Sequence, residues 1–271
     1  RHYISDVSRA DVLRLIDGIS DRPAPTMANK VLSVAKRLFS WCVERGLIET
    51  SPVAPVRSPN KELSRDRVLL SGELAEVWQA SEQLGYPFGP FYQILILTAQ
   101  RRGEVAALRW QDMDLESGLW TMAAAHTKSG RPHDVPLSGP VLDILGSIGR
   151  FDGDYVFSTT SGADYIRGFS GAKTRLDAAI LEARGGQDPA AAAMAHWTIH
   201  DLRRSAATHM AAANVAPHVL SSLLGHSPGR TMGISAVYIR HRYLEERRQA
   251  LEAWANHVLD LVKPTKRAKV G

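Results

Sequence analysis

The sequence has 271 residues, 44% hydrophobic and 23% charged, with one cysteine, Cys42; this excludes wholesale disorder, an internal disulfide and a cysteine-rich zinc site. Net charge is +5, unevenly spread: 11 basic and 8 acidic side chains over residues 1–66, 13 and 16 over 67–225, 9 and 4 over 226–271. A polyanionic partner must therefore be gripped by a few placed arginines and lysines, since the middle of the chain is slightly acidic.

In chain order, Ser8-Arg9-Ala10-Asp11 opens a helix whose apolar positions are Val12, Leu13, Leu15 and Ile16, with Gly18 as its stop. A second helical period runs through Val31, Val34, Ala35, Leu38, Phe39 and Cys42 towards Gly46. Pro52, Pro55 and Pro59 then crowd into eight residues, which predicts an extended linker and a domain boundary between 51 and 66. Helices follow at 71–84, 90–99 and 102–108. Short alternating stretches at 112–115, 119–122 and 133–137, parted by Ser117-Gly118 and Ser129-Gly130, predict a small antiparallel sheet. Helices resume at 140–147, 170–183, 200–212, 217–224 and 242–261, before a basic tail. The fold class is mainly α with a small antiparallel β-sheet. The longest apolar stretch, 92–97, is too short to span a bilayer, and no signal-peptide pattern opens the chain, so a cytoplasmic location is expected.

Three familiar patterns fail on inspection. In Gly168-Phe169-Ser170-Gly171-Ala172-Lys173-Thr174 no glycine adjoins the lysine, so a phosphate loop is absent, and the stretch is not a Gly-x-Ser-x-Gly elbow either. His196 and His200 have helical zinc-ligand spacing, but Trp197 stands where a metalloprotease carries glutamate.

What remains is a series of segments: Leu97-Thr98-Ala99-Gln100-Arg101-Arg102-Gly103-Glu104, Thr127-Lys128-Ser129-Gly130-Arg131, His200-Asp201-Leu202-Arg203, Leu224-Gly225-His226, and Tyr238. In this order they resemble the catalytic signature of the tyrosine recombinase (phage integrase) family, and the stretch from Tyr238 to Leu251 resembles integrases of prophages and genomic islands. Ala99 departs from the pattern, which usually has glycine there.

The chemistry is coherent. Cleaving a phosphodiester needs fixed cations on the nonbridging oxygens, a nucleophile, and an acid for the leaving oxygen. Arginine suits the first role because its planar fork is permanently charged. The resemblance assigns Arg101 and Arg203 to the phosphate, with Arg102 and Arg204 as the adjacent alternatives. It makes Lys128 the general acid, gives His200 phosphate hydrogen bonding and acid–base support for the tyrosine, gives His226 a phosphate hydrogen bond, and makes Tyr238 the nucleophile ahead of Tyr243. Glu104 would orient Arg101, and Asp201 reads as a charge at a helix N-terminus.

The implied organisation is a partial helical core-binding domain over 1–58, a linker over 59–68 and a catalytic domain over 69–271. The implied activity is site-specific cleavage and rejoining of double-stranded DNA at attachment sites through a 3′-phosphotyrosyl link, without metal or other cofactor. Implied partners are further copies of the chain, forming a tetramer on DNA, and accessory DNA-bending proteins; the setting would be a bacterial nucleoid. The segment from Arg242 to Leu261, with its stripe of Leu244, Leu251, Trp254, Val258 and Leu261, would dock on a neighbouring protomer, packing on its own domain being the alternative. A type IB topoisomerase-like nicking enzyme and a non-enzymatic DNA-binding regulator are the alternative functions.

Overall fold

The computed structural model describes residues 3–22, 25–61, 66–127, 130–185, 193–226 and 243–263. The chain forms two compact units, Arg1–Asp66 and Arg67–Gly271.

The first unit is built on α1 (Arg9–Ser20) and α2 (Pro25–Glu44). Ser8 caps α1: its hydroxyl accepts from Asp11 N at 3.3 Å, and Asp11 Oδ2 accepts from Ser8 N at 3.0 Å. The helix runs through Gly18 to Ser20, so that glycine is not its stop. Val12, Ile16 and Ile19 pack with Ala28, Leu32 and Phe39. The apolar run of α2 splits between two faces: Phe39 and Cys42 are buried, whereas Val34 and Leu38 are 66% and 48% exposed. The proline stretch expected as an extended linker instead folds back. Val53 and Val56 are buried in the same small core, and Asn29 pairs with the Asn60 main chain through Nδ2 to O (2.7 Å) and N to Oδ1 (3.1 Å).

In the second unit α3 (Ser71–Leu84) and α4 (Phe88–Thr98) precede the short α5 (Arg102–Ala106). α4 starts two residues earlier than its periodicity suggests and is buried almost all round, which is why it reads as a continuous apolar run. It packs against α3 and α5. β1 (Met113–Asp114), β2 (Leu119–Met122) and β3 (His133–Pro136) form an antiparallel sheet in that order. Trp120 faces Val135, and Trp120 and Met122 lie on the buried side, as period-two alternation requires. Then come α6 (Gly139–Ser147), α7 (Phe169–Ala183), α8 (Ile199–Ala212), α9 (Pro217–Leu223) and α10 (Leu244–Val262).

The placement of α10 corrects an expectation. It does not stand away for a neighbouring protomer: Leu251, Trp254, Ala255 and Val258 are buried in their own core, and Trp254 Nε1 donates to Ile96 O at 2.8 Å. An apolar stripe alone cannot tell which chain covers it. Among the described residues no helix is long and apolar enough to cross a membrane.

Candidate active site

α5 begins one residue after Arg101, which sits at the N-cap in extended backbone. Glu104 Oε2 accepts from Arg101 N at 3.1 Å, and Glu104 Oε1 accepts from Arg101 Nη1 at 2.8 Å. A single buried carboxylate thus fixes both the backbone and the guanidinium of Arg101. Just upstream, Ala99 ends α4 with φ at +54°, in the left-handed region where a Cβ is strained. Glycine would take this conformation without that strain.

α8 is entered through Thr198, whose N and Oγ1 each donate to Asp201 Oδ2 at 2.8 Å. Asp201 therefore acts as the N-terminal charge expected of it, and its Oδ1 also accepts from Arg204 Nη1 at 2.5 Å. Arg203 is 6% exposed. Its Nη1 donates to Ala99 O at 2.9 Å and its Nη2 to Leu224 O, so the guanidinium spans the ends of α4 and α9. Burial, then the charge of Arg101, lowers its pKa to about 10, which leaves it cationic at neutral pH. The adjacent arginines are occupied differently. Arg102 stands over the Phe169 ring at 4.7 Å, and Arg204 belongs to the Asp201 pair.

His226 is placed by the end of α9. Gly225 takes φ of +56°; His226 N donates to Ser221 O and Gly225 N to Ser222 O, both at 3.0 Å. These two bonds make a Schellman termination with His226 as its outer residue. They leave the carbonyls of Leu223 and Leu224 to outside donors. Arg203 takes the second; Gln100 Nε2 (3.1 Å) and His133 Nε2 (3.0 Å) take the first.

Arg101, His200, Arg203 and His226 share one electrostatic neighbourhood. The His200 pKa is pushed below its usual value by burial first, then by Arg203, Arg204 and Arg101. Burial, Arg203 and Arg101 do the same to His226. Both imidazoles are therefore neutral at neutral pH, each able to donate from one nitrogen and accept on the other. An open cavity of about 960 Å³ lies beside Arg101 and His200, with Phe169, Lys173 and Trp197 in its lining. Arg101 and His200 line it, and two permanent cations with two neutral imidazoles in one neighbourhood suit a phosphodiester, whose charge grows as a fifth oxygen approaches phosphorus.

Lys128 and Tyr238 lie outside the described residues. Thr127 and Arg131, flanking Lys128, are joined: Thr127 Oγ1 donates to Arg131 O at 2.7 Å. Tyr243, the alternative nucleophile, opens α10 with its ring 4.5 Å from that of His218. Among the described residues no group of three or more His, Cys, Asp or Glu side chains is gathered to hold a metal ion. Sequence reading missed Gln100, His133 and Arg247. Arg247 is 4% exposed, and its Nη1 donates to Asp134 O at 2.7 Å.

The phage integrase family model matches residues 67–244. The chain is 28% identical over 264 residues to prophage integrase IntZ of Escherichia coli (strain K12), covering 95% of this chain and 61% of that one. It thus spans about three fifths of that relative's length. Among solved structures, the Tn1549 transposon integrase in complex with a circular intermediate DNA superposes with a TM-score of 0.66 at 15% identity, over 83% of this chain and 79% of the other. A lambda integrase tetramer bound to a Holliday junction gives 0.62 at 19%, over 84% and 67%. At such identities these two likenesses concern the fold.

Proposed function

Since the chain belongs to the phage integrase family, we propose that it is a site-specific recombinase that cuts and rejoins double-stranded DNA at attachment sites. Arg101 and Arg203 hold the nonbridging oxygens of the scissile phosphate, and His226 donates a hydrogen bond to it. Tyr238 Oη attacks phosphorus while the bond to the 5′-oxygen breaks. The phenolic proton passes to neutral His200, and Lys128 gives a proton to the leaving 5′-oxygen. The product is a 3′-phosphotyrosyl link with a free 5′-hydroxyl. Attack by a partner strand's 5′-hydroxyl reverses the step, so no nucleotide energy is consumed.

The observation that carries this reading is the convergence of Arg101, locked by Glu104, with Arg203 and two neutral imidazoles, delivered by three separate stretches of chain. The first unit serves as part of a helical core-binding domain that grips DNA. Copies associate on paired sites as a tetramer, the state in which lambda integrase is seen on a Holliday junction. Accessory DNA-bending proteins assist, and the protein works in the cytoplasm at the nucleoid.

A nicked suicide substrate tests this. The native protein is expected to give a covalent protein–DNA adduct in a denaturing gel, and Tyr238→Phe to bind the DNA but give none. If Tyr238→Phe retains the adduct and Tyr243→Phe loses it, the nucleophile is wrongly assigned. Absence of any adduct from the native protein would favour a DNA-binding regulator, and relaxation of supercoiled DNA at any sequence a topoisomerase-like enzyme.

A further inference from the structure

The end of α9 has a hydrogen-bonding problem that its own termination does not solve. Its Schellman bonds use the carbonyls of Ser221 and Ser222, leaving Leu223 O in a buried setting where an unmet acceptor is costly. Two side chains from distant stretches converge on that oxygen. Gln100, 1% exposed and next to Arg101, sends Nε2 to it at 3.1 Å and to Thr98 O at 2.9 Å. His133, on β3, brings Nε2 to 3.0 Å.

A carbonyl oxygen only accepts, so the imidazole must donate, which fixes its proton on Nε2. The ring also sits against the turn: a Cβ built on Gly225 would lie 3.4 Å from its Cδ2 and Nε2. One side chain thus both anchors the last helical carbonyl and occupies the space beside the left-handed residue that precedes His226. The charged groups around it are Arg247, Glu104 and Arg203, and burial with these arginines holds it neutral, at a pKa of about 4.

We propose that His133 is a positioning residue: its Nε2 bond to Leu223 O and its ring beside Gly225 set the direction in which His226 leaves α9. It reaches no reacting atom and acts through His226. The inference rests on the proposed role of His226 in phosphate cleavage. His133 also lies five residues after Lys128, so the strand that follows the lysine is tied directly to the turn that carries the histidine.

The experiment is single-turnover cleavage of the suicide substrate, with DNA affinity and thermal melting measured in parallel. His133→Phe keeps a ring and removes the donor; it is expected to slow cleavage on the order of tenfold at unchanged affinity. His133→Gln, whose amide nitrogen reaches as far as Nε2, is expected to restore the rate, and His133→Asn, with its donor too short, is not. In a His226→Ala background, His133→Phe should cause no further slowing. Equal slowing in both backgrounds, or equal rescue by Asn and Gln, overturns the proposal. If His133→Phe fails to melt cooperatively, the Asn and Gln pair decides. If His226→Ala alone leaves cleavage unchanged, the reading of the site fails, an outcome distinct from failure of the His133 inference.

Discussion

At the scale of single residues, the site is made by side chains that bind main chain as much as by those facing a substrate. Arg203 bridges two carbonyls and Glu104 grips one arginine twice, so these cations are set in place by the chain itself. Neutral His133 carries a consequence for stability. Its pKa is about 4 in the folded chain, against the usual 6.5, because burial and then Arg247 disfavour its charge. The unfolded chain therefore binds more protons as pH drops below 6.5. This contribution is fully present above 6.5 and is lost as pH falls through the window down to about 4. The loss is on the order of 3 kcal/mol. Urea unfolding at pH 7 and pH 4.5 should show a smaller acid loss in His133→Gln than in the native chain; equal losses would mean that His133 is not the buried neutral group responsible. Arg101, Glu104, His200 and Arg203 were legible because their types and spacings repeat a pattern. Gln100 and His133 were not, since their shared partner is a main-chain oxygen about ninety or more residues away, which leaves no mark in the sequence.

At the scale of elements, periodicity located helices and turn dipeptides located the sheet, both being local consequences of backbone geometry. What local pattern could not show was which apolar arc a helix buries. The residues Val34 and Leu38 obey the same period as Phe39 and Cys42, yet only the latter two meet a core. The proline stretch failed for a related reason: Pro fixes backbone angles but says nothing about Val53 and Val56 returning to pack on α1 and α2. By contrast, the end of α9 was legible at Gly225, where the chain needs a left-handed residue. Gly225→Ala places a Cβ at a φ of +56° and against the His133 ring at 3.4 Å. The expected cost is roughly 1–2 kcal/mol. Denaturant unfolding should register that loss, and single-turnover cleavage should slow with it because His226 follows directly. Unchanged stability and rate would show that the turn tolerates a side chain and does not constrain His226.

At the scale of the whole chain, the second unit depends on an element that lies after its catalytic signature. α10 follows every segment of that signature in sequence, yet it packs on α3, α4, α9 and β3. It buries Leu251, Trp254, Ala255 and Val258 among residues contributed from as far back as Leu69. Burying each large apolar side chain contributes about 1.5–3 kcal/mol. Three such residues together with the Trp254 Nε1 bond to Ile96 O approach the whole of a domain's usual stability, about 5–15 kcal/mol. Arg247 adds a tie from the first turn of α10 to β3, through Asp134 O, and so to the strand that leaves the Lys128 loop. Deleting 244–271 should therefore abolish cooperative unfolding and soluble expression of the second unit, and DNA binding by the truncated chain with them. Far-ultraviolet circular dichroism and a melting curve on the truncated chain check this. A chain that melts normally, binds one DNA site and loses only cooperative occupancy of a second would return α10 to the role of a tether between protomers.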